Sequence, residues 1–175
     1  METPQKEGIQ MNESKTAPET REKRCLILYC SSHHQNTETL VKKAAAQLPD
    51  IDVMPLSDDC RPEFSRYKLI GLASGIYMGR PHAAMQSFLE VHQKELKGRK
   101  VFTLLTSGAN QKKYGTAFSS LLEGYGCTVL GNYQCKGFDT FGPWKLIGGI
   151  ANGHPDTKDI AGAEAFLHGI LNKHG

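Results

Sequence analysis

Between an apolar run and the start of an amphipathic stretch, the chain reads Ser31-Ser32-His33-His34-Gln35-Asn36-Thr37-Glu38. Hydroxyls, imidazoles and an amide are crowded there into a turn that feeds a helix. The first turn of a helix has unpaired N–H donors and a partial positive charge, which suits a phosphate dianion. Ser31, Ser32 and Thr37 add hydroxyl donors and Asn36 adds an amide, while no Lys or Arg stands in the turn. A phosphate here is neutralised by dipoles and hydrogen bonds rather than by a cation. The same residue types also make an ordinary capped turn that binds nothing, and the turn alone does not separate the two readings.

Two further turns share this character. Ser74-Gly75-Ile76-Tyr77-Met78-Gly79-Arg80-Pro81-His82 carries two glycines that let backbone approach a flat ligand, with Tyr77 and Met78 as a polarizable surface. Thr106-Ser107-Gly108-Ala109-Asn110 is a second small, donor-rich turn. The residues expected to bind a cofactor from these turns are Ser74, Gly75, Ile76, Tyr77, Ser107, Gly108 and Ala109, beside Ser31, Ser32, Asn36 and Thr37. Farther on, Gly137 to His154 has no clear periodicity and holds the single tryptophan, Trp144. Long loops in compact domains usually serve function, so Phe141 or Trp144 is expected to cover the ligand, with plain packing as the competing role.

Other constellations point to less. There is no phosphate-binding G-x-x-x-x-G-K-[ST] and no G-x-G-x-x-G after the first strand, which sets aside P-loop and dinucleotide-binding domains. No receiver-type acidic cluster follows the first strand. His33 and His34 diverge as neighbours, so no metal site is expected from them with His82 and His154. His92 reads as a packed or surface-tipped residue on an apolar helix face, and Asp139 has no evident partner. Cys30, next to the helix start, has either a lowered pKa or a buried, inert thiol, burial being the stronger expectation. No catalytic residue is assigned.

The elements that must position these turns alternate regularly. Cys25 to Cys30 is a continuous apolar run, as a strand buried on both faces requires. Leu40, Val41, Ala44, Ala45 and Leu48 then recur at helical spacing, capped by Asn36 or Thr37. Further strands are expected at Ile51–Leu56, Lys68–Ser74, Lys100–Thr106 and Cys127–Cys135. Pro81 opens the second helix, Phe118, Leu121, Leu122 and Tyr125 mark the third, and Asp156 caps the last. This order implies an α/β fold, a doubly wound five-stranded parallel sheet covered on both faces. In such sheets ligands sit beyond the carboxyl ends of the strands, where strand order reverses.

Composition bounds the rest. The 175 residues suit one domain, and 39% apolar residues suffice for one core. Residues 1–24 carry five acidic and five basic residues and no apolar stretch, so they are expected to form a disordered polar leader rather than a secretion signal. No run is long enough to span a membrane. The five cysteines have no C-x-x-C spacing, and Cys25 and Cys30 point to opposite faces of one strand, so they read as reduced thiols of a cytoplasmic protein. A net charge of +3 without a basic, aromatic-interleaved cluster does not suggest nucleic acid.

The residues from Cys25 to Leu171 resemble the flavodoxin-like domain family. The resemblance rests on SSHHQNTE at Ser31–Glu38, SGIYMGRPH at Ser74–His82, CKGFDTFGPWKLIGGIANGHP at Cys135–Pro155 and DIAGAEAFL at Asp159–Leu167, in this order and spacing. It implies a flavodoxin-like domain over 25–172, strand order 2-1-3-4-5, and bound flavin mononucleotide (FMN). On that reading Ser31, His33, Asn36 and Thr37 hold the phosphate. Gly75, Ile76 and Tyr77 border the ring system, joined by Ser107 and Gly108. Gln35 stands where family members often carry glycine.

The expected function is electron transfer by a flavoprotein serving a redox partner protein or a small electron acceptor. Positive charge on Arg80, His82, Lys112 and Lys113 near the ring weighs against a very low potential. The alternatives are an FMN-dependent reductase carrying hydride from NAD(P)H to a quinone or nitro acceptor, and an interaction module that has lost FMN.

Overall fold

Six consecutive buried residues form β1 (Cys25–Cys30), and their side chains divide between two cores. Cys25, Ile27 and Tyr29 face one, and Leu26, Leu28 and Cys30 face the other, so the first and last cysteine of the strand do lie on opposite sides. The computed structural model describes residues 24–32, 34–57 and 60–175. The expected leader lies outside these residues except for Arg24, whose guanidinium pairs with Asp50.

The remaining elements are α1 (Asn36–Ala45), β2 (Ile51–Pro55), β3 (Leu69–Tyr77), β4 (Arg80–Pro81), α2 (Ala83–Leu96), β5 (Lys100–Ser107), α3 (Lys113–Gly124), β6 (Thr128–Lys136) and α4 (Thr157–His174). Short 3₁₀ turns occupy Phe64–Arg66 and Gly142–Ile147. The sheet runs β2-β1-β3-β5-β6, all parallel, with β4 antiparallel to the end of β3. Setting β4 aside, the five long strands stand in the order 2-1-3-4-5. The flavodoxin-like architecture is the one expected from the sequence.

Both faces are closed by helices. Leu40, Val41 and Ala44 of α1 and Ala163, Leu167 and Ile170 of α4 cover one face with Ile27 and Phe102. Met85, Phe88 and Leu89 of α2 and Phe118 and Leu122 of α3 cover the other with Leu26, Leu28 and Leu72. Gly71 has no side chain because Phe102 fills that space: a Cβ there would lie 2.7 Å from the ring. Leu121, one of the apolar positions that mark α3, is 38% exposed, since α3 drapes over a sheet edge and only part of its stripe is covered. His92 packs against Phe88 with ring centroids 4.4 Å apart and pairs with Glu95, as a packed, surface-tipped histidine should.

Two departures from the expected boundaries shape the site. β3 continues past Ser74 to Tyr77 because Ile76 and Tyr77 find antiparallel partners in Pro81 and Arg80. Met78 (φ 49°) and Gly79 (φ 82°) make the two-residue turn, whose left-handed backbone matches strand twist. Pro81 therefore belongs to β4 and does not open α2. His82 caps that helix instead, its Nδ1 accepting from the Ala84 amide at 3.1 Å. Asp156 caps α4 as expected, accepting from the Lys158 and Asp159 amides, while Asp159 returns a bond to the Asp156 amide.

Candidate functional site

The chain leaves β1, crosses to β2 on one side, and returns to β3 on the other, so strand order reverses between β1 and β3. The turn after β1 therefore meets the ends of β3 and β5 at the sheet's carboxyl edge, where open α/β sheets bind ligands. Gln35 precedes α1 in the left-handed region (φ 54°, ψ 26°), and its side chain makes no capping bond. Asn36 and Thr37, expected as caps, are the first helical residues, and their side chains reach sideways. Asn36 Nδ2 donates to the Phe138 carbonyl at 2.7 Å, and the Thr37 and Thr106 hydroxyls meet at 2.9 Å in the interior. The main-chain N–H groups at the start of α1 are the donors an anion would meet there.

Around this helix start the three turns interlock. The Ser32 and Tyr77 hydroxyls are 3.0 Å apart. His34 Nε2 lies 2.9 Å from Thr140 Oγ1, and the His34 ring sits 4.4 Å from that of Phe138. Ser74 is fully buried: its Oγ donates to the Gly75 carbonyl at 2.8 Å and accepts from the His82 amide at 2.9 Å. It fixes the β3–β4 hairpin from beneath and lines neither of the two cavities at this edge. Ser31 is half-buried and lines neither of them. His33 lies outside the described residues.

Beside the helix start opens a cleft of about 800 Å³, lined by Ile76, Ser107, Gly108 and Ala109 of the expected set. A narrow crevice of about 20 Å³, lined by Asn36, Thr37, Gly75 and Tyr77, continues it toward α1. Ile76, Ser107, Gly108 and Asp139 border both, so cleft and crevice form one track. The crevice has room for about one water. A longer group passing from the cleft to the helix start requires the Asn36–Phe138 contact to yield. The glycines on this track sit close to neighbouring side chains. A Cβ on Gly108 would lie 2.7 Å from Ile150 Cδ1, and one on Gly75 would lie 3.0 Å from the Tyr77 ring.

Met78 and Lys113, expected beside the ligand, line the cleft, and so do residues that the sequence pattern did not single out as binding: Gln111, Tyr114, Asp139 and Ile150. Asp139 has partners after all. Its backbone pairs with Ile150 in an isolated antiparallel bridge, and its Oδ1 accepts from the Phe141 amide at 2.8 Å. That bridge closes the base of the aperiodic loop, and Phe141, Pro143 and Trp144 form its wall over the cleft. Of the cations expected near the ligand, Lys113 lines the cleft, whereas Lys112 faces a separate groove with Asn132 and Gln134.

Electrostatics exclude one expectation. Burial pushes the Cys30 thiol up to about 11, against a smaller opposing effect of the Ser74 hydroxyl. The helix start does not activate it, and Cys30 is an inert core thiol. Burial likewise raises Cys25 and Cys135 to about 12.

A flavodoxin domain model matches residues 26–132. An uncharacterized protein of Methanocaldococcus jannaschii is 34% identical over 148 residues, covering 85% of this chain and 98% of that protein. Among solved structures, oxidised Flavodoxin 2 from Bacillus cereus superimposes with a TM-score of 0.63 at 18% identity, covering 86% of this chain and 99% of that one. A Lactobacillus acidophilus flavoprotein in complex with FMN gives a TM-score of 0.54 at 17% identity, over 64% of this chain and 93% of that one.

Proposed function

Starting from the premise that this chain belongs to the flavodoxin domain family, we propose that it binds FMN along the track from α1 to the open cleft and serves as an electron-transfer flavoprotein. The observation that carries the reading is the continuity of that track: an uncapped helix start at one end and a wide, aromatic-walled cleft at the other. When bound, FMN supplies reversible acceptance of electrons or hydride.

The chain's own residues supply the rest. The α1 amides, with Ser31, Ser32, His33, Asn36 and Thr37, hold the phosphate. Gly75, Ile76, Tyr77, Ser107, Gly108 and Ala109 border the ring, and Trp144 and Phe141 limit access of water. Ser74 positions the Gly75 backbone from below. The acceptor is a redox partner protein or a small molecule reaching the cleft mouth. Five buried thiols support a cytoplasmic setting, and no helix of the described residues is long and apolar enough to cross a membrane.

One observation favours a second reading, an FMN-dependent NAD(P)H reductase. Lys113 stands in the cleft wall, where a cation stabilises negative charge on a reduced ring and offers a counter-charge to a nucleotide phosphate.

Titration with FMN and with riboflavin tests the main proposal. Binding of FMN at least about tenfold tighter than riboflavin is expected, since only FMN engages the helix start. Equal affinities, or no binding of either, would overturn it, and the latter would leave the interaction-module reading. Anaerobic addition of NAD(P)H separates the other two: prompt bleaching of the bound flavin supports the reductase, and its absence supports the carrier.

A further inference from the structure

Seven large apolar side chains stand exposed among the described residues, and five of them gather at one place: Met78, Phe141, Trp144, Leu146 and Ile147. Met78 occupies the tip of the β3–β4 turn and is 89% exposed. Leu146 (89%) and Ile147 (68%) lie on the 3₁₀ turn whose Pro143 and Trp144 form the opposite cleft wall. Leu146 and Ile147 do not themselves line the cleft, so a ligand within it leaves them uncovered. The turn is held in place: the Gly149 amide donates to the Trp144 carbonyl at 2.7 Å, and the Asp139–Ile150 bridge closes its base. Exposed Lys145 is part of the same turn, exposed Arg80 follows the β3–β4 turn, and exposed Lys113 lines the cleft between the two tips.

Two protruding apolar tips beside a tryptophan and ringed by cations have the composition of an interfacial anchor: apolar side chains enter the acyl boundary, tryptophan sits at headgroup level, and basic side chains meet anionic phosphates. A second copy of this chain would bring the same cations against one another. A protein partner would need two deep pockets for tips exposed this fully. We propose that this face docks on an anionic lipid bilayer, with the mouth of the cleft turned toward the membrane. The proposal goes beyond FMN binding and does not depend on it.

Flotation of the full chain with vesicles tests it, using phosphatidylcholine alone and phosphatidylcholine mixed equally with phosphatidylglycerol, each with and without added FMN. The protein is expected to float with the anionic vesicles in both cases, to stay behind with neutral ones, and to release as salt rises. Trp144, the single tryptophan, reports the contact directly: in the FMN-free protein its emission should shift to the blue on anionic vesicles and be quenched by spin-labelled lipid. Leu146→Ser with Ile147→Ser, and separately Lys145→Glu, should each weaken partitioning by about tenfold. Unchanged thermal unfolding and FMN titration show that these variants are folded. Absence of flotation with anionic vesicles overturns the proposal, as does equal flotation with neutral ones. Capture of an acidic carrier protein that is lost in the same variants, with no vesicle binding, overturns it in favour of a protein interface.

Discussion

The Asn36 side-chain amide donates to the Phe138 carbonyl at 2.7 Å, joining the turn after β1 to the loop after β6 across 102 positions of sequence. Both segments leave the carboxyl edge of the sheet, and this contact fixes their spacing. It also narrows the crevice between helix start and cleft, where a Cβ on Gly137 would lie 2.9 Å from the same amide nitrogen.

Replacing Asn36 with Ala should cost about 1 kcal/mol in urea unfolding, the usual worth of one such bond. Asn36→Asp should cost more, because a carboxylate would then face the Phe138 carbonyl. Limited proteolysis should cut both variants faster within the 137–150 loop. Wild-type resistance in both would mean that the Asn36–Phe138 bond is dispensable.

Gln35 holds a left-handed backbone (φ 54°) at the residue before α1. Glycine reaches that region without strain but loses more entropy on folding, so Gln35→Gly should change stability by no more than about 0.5 kcal/mol. Gln35→Val, β-branched at the same φ, should lose about 1–2 kcal/mol. Chemical denaturation of the pair checks the contrast.

Gly108→Ala should separate the cleft wall from β5. The added methyl would meet Ile150 Cδ1 at 2.7 Å and the Asp139 side chain at 2.9 Å, forcing the bridge base outward. A stability loss of about 1–3 kcal/mol is expected, with a clear loss of FMN affinity in the same titration used for the wild type. A control at Gly124, where an added Cβ meets nothing within 4 Å, should leave FMN affinity unchanged.

The buried thiols predict alkaline sensitivity. Cys25 and Cys135 are raised from an ordinary value of 9.0 to about 12 and Cys30 to about 11, each chiefly by burial. Tyr133 is raised to about 12 by burial and then by the charge of Cys135. The folded state therefore keeps protons that the unfolded chain releases. Its stability is intact below about pH 9 and falls progressively toward pH 12. Urea midpoints measured at about pH 8 and about pH 10.5 should show the loss. All five thiols should resist aromatic disulfide reagents at neutral pH until denaturant is added.

The architecture and part of the site were legible in the order of residues. The apolar run at Cys25–Cys30, the helical spacing of Leu40, Val41 and Ala44 and the cap at Asp156 are local signals, set by periods of 2 and 3.6 and by hydrogen bonding within a few residues. Such signals fixed which turns share the sheet's carboxyl edge, and so brought Asn36, Thr37, Gly75, Ile76, Ser107 and Gly108 onto one track. Tertiary structure decided what those side chains meet. The Asp139–Ile150 bridge, the hairpin that carries β3 on to Tyr77, the burial of Ser74 and the entry of Gln111, Tyr114 and Ile150 into the cleft arise from pairing and packing. A cleft wall is made where segments remote in sequence touch, and periodicity along one segment carries no information about its partner.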